Sequence, residues 1–257
     1  MKFIGIDLGW SSGASGSCCL QWTGQHLQLL EITRQTHHTD ILTWIDHWLP
    51  VPDPGLIAVD APTLIPNPNG SRLPDRLAHH HFHRYHAGCY PANLSLPFAV
   101  HTISFGLSLE TRGFQHAPDI VPQQLGRYQI EAFPHPAIVH LFQLERILKY
   151  KKGRLAERKA ELKKLQHFIV ELLPTLEPAL YLPSSTHFPS SPFWTDLTPL
   201  KSTPLKAIED QLDSLICAYI AAHWWYWGLA RNQVLGDRTH GYIVIPTPHQ
   251  QKGVTSQ

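Results

Sequence analysis

Three short apolar runs in this chain each close on a carboxylate: Phe3-Ile4-Gly5-Ile6-Asp7, Leu56-Ile57-Ala58-Val59-Asp60 and Tyr128-Gln129-Ile130-Glu131. Apolar runs bounded by turn residues read as buried strands. An ionised carboxylate held away from water is costly unless something pairs with it. Three such strands therefore predict a sheet whose exit edge gathers acids around a shared cation.

The connections favour that arrangement. Residues 2–8, 17–22 and 27–33 are expected as strands, the last two joined by Thr23-Gly24-Gln25, and links this short make an antiparallel meander. A helical stripe follows over residues 40–49. The run at 55–60 comes after it, so it is expected parallel to the first strand. Residues 128–133 read as a third parallel strand. Further helices are expected over 73–86, 93–113, 134–148 with Pro136 in the first turn, and 154–173. Residues 61–70 are turn-rich, 177–187 carry no clear pattern, and 184–203 read as a loop. Thr203 as N-cap and Pro204 as first helical residue would open a long helix reaching about Gly228. A hairpin of residues 233–236 and 241–245 precedes a polar tail.

Composition narrows the function classes. The net charge of +1 over 257 residues removes any global basic field, although a local patch suffices for nucleic acid. Cys18, Cys19, Cys89 and Cys217 form no C-x-x-C pair, which predicts reduced thiols and a cytoplasmic location. Asp7 interrupts the first apolar run, so no secretory leader is expected there. The longest apolar stretch, 215–229, contains His223 and reads as a core helix; no membrane association is expected.

The late helix adds Asp210 and Asp213, three apart and so on one face. Four or five carboxylates at one rim repel each other, and oxygen-only donors suit Mg²⁺ or Mn²⁺. Two such ions activate water and stabilise the leaving oxygen of a phosphodiester. Each acid also has an ordinary reading. Asp7 can end a strand in a turn, Asp60 can cap the turn at Ala61-Pro62, and Glu131 can be a paired edge acid. Glu209 and Asp210 can favour the positive end of the helix. Asp213 lies too deep for that and is flanked by Leu212 and Leu215.

Three antiparallel strands, helix, strand, strand and late helix is similar to the ribonuclease H-like order, and the acids with Asp210-x-x-Asp213 resemble its Holliday-junction resolvase branch. More closely, Gly5-Ile6-Asp7-Leu8-Gly9-Trp10, Val59-Asp60-Ala61-Pro62, Glu131-Ala132-Phe133-Pro134-His135-Pro136, Lys149-Tyr150-Lys151-Lys152-Gly153 and Asp210-Gln211-Leu212-Asp213 resemble an uncharacterised predicted-nuclease family, domain-of-unknown-function family 429. Gly236-Asp237 and the run from Gly241 to Pro246 fit that family's ending. The resemblance implies an α/β ribonuclease H-like domain over residues 1–257. It would have a mixed central sheet flanked by helices, a helical insertion around 70–125 and a short polar C-terminal tail. It carries over Asp7, Asp60 and Asp213 as metal ligands and catalytic residues, with Asp210 next and Glu131 at a matching position. Resolvase-type sites usually carry Glu on the fourth strand where this chain has the shorter Asp60.

Cationic side chains offer contacts for a nucleic-acid substrate, DNA or RNA. Arg72 and Arg76 stand near Asp60 in sequence; Lys151, Lys152, Arg154 and Arg158 open the one clear basic stretch. The competing reading of that stretch is an exposed helix balanced by Glu157 and Glu161. His79 and His83 have i, i+4 spacing, yet no cysteine pair or acid closes a zinc site. Trp224, Trp225 and Trp227 read as core or interface anchors.

The leading expectation is a metal-dependent nuclease that hydrolyses phosphodiesters by metal-activated water, with a Lys or Arg stabilising the transition state. One alternative is a non-catalytic nucleic-acid or protein-binding scaffold whose interface is the tryptophan-rich end. A lower-ranked one is an actin-like or sugar-kinase-like phosphotransferase, with Ser11-Ser12-Gly13 extending a first phosphate loop. The chain is short for the two halves that fold needs.

Overall fold

The computed structural model describes residues 1–10, 13–183 and 191–248. The Ser11-Ser12 extension, residues 184–190 of the 184–203 loop and residues 249–257 of the polar tail lie outside the described residues. In chain order the elements are β1 (Lys2–Asp7), β2 (Ser15–Trp22), β3 (Leu27–Gln35), α1 (His38–Trp48), β4 (Gly55–Val59), α2 (Leu73–Phe82), α3 (Ala99–Glu110), β5 (Gln115–His116), β6 (Arg127–Glu131), α4 (Pro134–Leu141), α5 (Leu155–Leu172), β7 (Leu180–Tyr181), α6 (Ser202–Trp227), β8 (Asn232–Asp237) and β9 (Gly241–Pro246).

Seven strands form one sheet in the order β5-β6-β4-β1-β2-β3-β7. Only β2 runs against the others, pairing antiparallel with β1 and β3, while β4, β6, β5 and β7 join in parallel. This is the mixed sheet flanked by helices that the motifs imply. Strand β7 arises in the stretch that carried no sequence pattern.

Side chains on a strand alternate between faces, and this sheet is buried on both. Phe3, Leu56, Ala58 and Ile130 pack toward α4, α5 and α6, in one core with Ile138, Leu165, Leu215 and Tyr219. Ile4, Ile6, Ile57 and Val59 pack the other way, against Ile41, Ile45, Phe105 and Leu109 of α1 and α3.

Helix α6 lies directly on the backbone of β1 and β2. A Cβ at Gly5 would stand 2.0 Å from the Ser214 carbonyl oxygen and 2.2 Å from the Ala218 nitrogen; one at Gly16 would stand 1.9 Å from the Asp210 carbonyl oxygen. Two glycines thus let the helix approach far enough to bring Asp210 and Asp213 to the end of β1.

Several boundaries differ from expectation. Lys201 occupies the N-cap of α6, so Thr203 and Pro204 fall inside its first turn. Helix α4 stops at Leu141 because Gln143 takes a left-handed φ of 52°. Helix α3 begins only at Ala99; Asn93 instead folds into a turn by accepting the Ser95 amide at 3.1 Å. Trp224 and Trp225 are buried and donate to the carbonyls of Ala117 and Gln124, whereas Trp227 at the helix end is half-buried and donates to the Glu177 carbonyl at 2.6 Å. Among the described residues no helix is long and apolar enough to cross a membrane. All four cysteines are free thiols.

Candidate active site

The register of β1 and β4 pairs Ile6 with Val59, and the Asp60 amide donates to the Ile6 carbonyl at 2.8 Å. Asp7 and Asp60 follow these two residues and so stand level at the carboxyl ends of adjacent parallel strands, facing α6. This is where open α/β sheets place functional groups. Asp213 reaches the same rim from α6 and is completely buried.

No donor among the described residues meets the Asp7 or Asp60 carboxylate. Burial, followed by the charges of Asp213 and Asp60, pushes the Asp7 pKa well above its ordinary value against the pull of Lys151. Burial and Asp213 likewise push Asp60 up to about 6. Asp213 is held differently. Its Oδ1 accepts the Tyr150 hydroxyl at 2.6 Å, and Lys151 Nζ lies 2.6 Å from its Oδ2. That second contact is an ion pair, because no donor is aligned on Oδ2 for a hydrogen bond. Burial works against the Lys151 charge, yet Asp213 and Asp7 keep its pKa well above that of an ordinary lysine.

Asp210 comes to the same rim but carries its own cations. Arg34 Nε donates to its Oδ2 at 2.9 Å, and Lys206 pairs with Oδ1. Glu131 lines the same cavity but is held differently. Its strand partner is Val59, so it shares Val59's face of the sheet, opposite to α6. There it takes a two-pronged ion pair from Arg72, both contacts at 2.7 Å. Arg72 also binds Asp75 at 2.7 Å and the Leu64 carbonyl at 3.0 Å. Despite burial, these carboxylates hold the guanidinium charged. Arg72 is 2% exposed and has no face left for a phosphate.

The other cationic residues divide in the same way. Arg158 is turned inward, donating to the Tyr150 carbonyl at 3.0 Å and to Glu209 at 2.7 Å, so it braces the site from behind. Arg76, Lys152 and Arg154 are exposed. Lys152 donates to the Tyr90 hydroxyl at 2.8 Å. His80, His81, His83 and His86 are solvent-facing.

A cavity of about 420 Å³ opens over the acids, lined among others by Asp7, Asp60, Trp10, Tyr90, His135 and Lys151. Trp10 is fixed there by donating to the Asp60 carbonyl at 3.2 Å and by packing on Phe98. His135 is neutral: burial, then Lys151, lowers its pKa to about 4, and its Nδ1 has no partner. Tyr150, His135 and Trp10 were not singled out from the sequence as site residues. The only signal was that each lies in a short motif beside a chosen acid or base.

The donor set suits a hard divalent cation. Among the described residues nothing donates to the Asp7 and Asp60 carboxylate oxygens and Asp213 Oδ2 lacks a hydrogen bond, and Mg²⁺ is commonly held by a few carboxylates with water completing its shell. Among the described residues, no three His, Cys, Asp or Glu side chains are drawn together tightly enough to hold an ion as they stand. The Lys151 ammonium occupies that ground.

The sequence profile of the family described as "Protein of unknown function (DUF429)" matches residues 5–239. The chain belongs to that family. Among curated proteins no sequence matches it. Among solved structures it is similar to T. thermophilus RuvC in complex with Holliday junction substrate, at 12% identity over 86% of this chain and 96% of that one, with a TM-score of 0.31. The DUF429 match takes in all five candidate acids, the Tyr150-Lys151 pair and β8, and ends before β9. Ile243 of β9, beyond the matched residues, forms part of the cavity wall.

Proposed function

We propose that this DUF429 protein is a metal-dependent nuclease, hydrolysing phosphodiester bonds of DNA or RNA with Mg²⁺ or Mn²⁺. One observation carries the reading: at the ends of adjacent parallel strands, buried Asp7 and half-buried Asp60 line one cavity with no donor on either carboxylate among the described residues, and Lys151 at that cavity pairs with the buried Asp213 behind it. Such a group is unfavourable on its own and becomes favourable around a cation.

Asp7, Asp60 and Asp213 would hold the ion. Bound there, it would activate water and stabilise the leaving oxygen. Tyr150 fixes the Asp213 carboxylate through Oδ1. Asp210, neutralised by Arg34 and Lys206, shapes the field of the rim and stands outside the ligand set. Glu131 with Arg72 and Asp75 forms a rigid wall. Trp10 and Tyr90 offer aromatic faces to a base, and Arg76, Lys152 and Arg154 offer exposed charge to the backbone beyond it.

One feature favours the scaffold alternative: Lys151 already gives Asp213 a cation, as it would in a site that needs no metal. Calorimetric titration of Mn²⁺ into wild type, Asp7→Asn and Asp60→Asn, run beside a panel of labelled DNA and RNA, separates the two. Ion binding and cleavage lost together in both variants is the expected result. Ion binding without cleavage on any substrate would favour the scaffold, and absence of ion binding in wild type would overturn the nuclease reading.

A further inference from the structure

Tyr150 and Lys151 are neighbours on the segment between α4 and α5, and between them they take both oxygens of one carboxylate. The two contacts are unlike. Tyr150 is fully buried and its carbonyl is tied down by Arg158 at 3.0 Å, so its hydroxyl is fixed. Lys151 keeps 29% of its side chain exposed, and its ammonium meets Oδ2 without hydrogen-bond alignment. A lysine is a point charge on a flexible four-carbon stem, so it leaves a carboxylate without moving the backbone.

We infer that Lys151 Nζ is the resident cation of this acidic site, exchanged for the divalent ion when the site loads and released toward the bound phosphate. The inference rests on the metal-dependent reading above. One ammonium among the carboxylates of Asp7, Asp60 and Asp213 leaves their charge under-compensated, which a divalent ion corrects. The freed Nζ remains at the cavity that Trp10 and Tyr90 line, where a phosphodiester would bring negative charge. Tyr150 stays in place through the exchange and keeps Asp213 aimed at the ion.

Reductive methylation read by mass spectrometry follows Lys151 in the wild-type protein, with exposed Lys163 as the internal reference. Lys151 should label slowly in ion-free protein and severalfold faster once Mn²⁺ is bound, while Lys163 does not change. Calorimetry gives a second readout. Lys151→Met should bind Mn²⁺ at least about tenfold more tightly than wild type, because a competing charge at contact distance is gone. Lys151→Arg, which restores the charge, should bind more weakly than Lys151→Met. If Mn²⁺ binds wild type but labelling of Lys151 does not respond, or if wild type and Lys151→Met bind it equally, the exchange is wrong while the metal site stands. If neither wild type nor Lys151→Met binds Mn²⁺, the metal-dependent reading fails and the exchange fails with it. The labelling arm needs no variant, so a misfolded Lys151→Met does not obscure the answer.

Discussion

The Tyr150 hydroxyl donates to Asp213 Oδ1 across 2.6 Å, with both side chains removed from water. Tyrosine is rarely spent so deep in a core without a partner for its hydroxyl. Here the partner is the acid that the proposed chemistry most needs to keep still.

Tyr150→Phe tests that pairing. It leaves a buried carboxylate oxygen unsatisfied, which should cost about 1–3 kcal/mol of stability in urea unfolding. Mn²⁺ affinity should fall as well, because Asp213 is then free to turn. A variant with wild-type stability and wild-type ion binding would show that the hydroxyl positions nothing.

Gly5→Ala should be severe although it adds only a methyl group. The new Cβ would lie 2.0 Å from the Ser214 carbonyl oxygen, so α6 must move as a body. Overpacking of this kind costs about 1–3 kcal/mol or more. The displacement also carries Asp213 away from Asp7. Thermal unfolding and Mn²⁺ titration of the same sample should both register it; loss of stability with unchanged ion affinity would mean that Asp213 is no ligand.

Glu131 and Arg72 should behave as structure and not as chemistry. Arg72→Met strands two buried carboxylates, Asp75 and Glu131, at a cost of about 3–5 kcal/mol. Glu131→Gln should lower the melting temperature and leave Mn²⁺ affinity unchanged. A Glu131→Gln protein that loses ion binding would return Glu131 to the ligand set.

The pH dependence has a definite sign. Asp60 titrates near 3.8 when unfolded and at about 6 in the folded protein, chiefly because it is buried. A raised carboxyl pKa stabilises the fold at low pH, and that contribution is lost as the pH climbs through about 6. With ion absent, wild type should lose on the order of 2 kcal/mol from this group between about pH 4 and pH 7. Asp60→Asn should flatten that slope. Mn²⁺ should reverse it, since the ion binds the ionised form; apparent affinity should strengthen over the same interval. An ion-induced shift in melting temperature that ignores pH would rule out Asp60 as a ligand.

The motif Gly5-Ile6-Asp7-Leu8-Gly9 and its counterpart at Val59-Asp60 were legible because strand, turn and acid are local facts. Alternation and length predicted the central strands, the preceding helix predicted that the 55–60 strand runs parallel to the first, and the i, i+3 spacing of Asp210 and Asp213 put both on one helix face. The chain by itself therefore determined the mixed sheet and that acids end its central strands. Glu131 looked equivalent to Asp7 and Asp60, since each ends an apolar run. Only the pairing of Val59 with Glu131 decided otherwise, because a one-residue offset in register sends a side chain to the opposite face of a sheet. Arg72 and Arg158 looked like surface charge, and only packing turned them inward toward Glu131 and Glu209. Lys151 looked like one more member of a basic stretch. Its contact with Asp213 spans 62 positions in the chain, and nothing local to either residue encodes a distance between them. It is set by α6 resting on Gly5 and Gly16, where the absence of two side chains lets a helix come down onto the sheet.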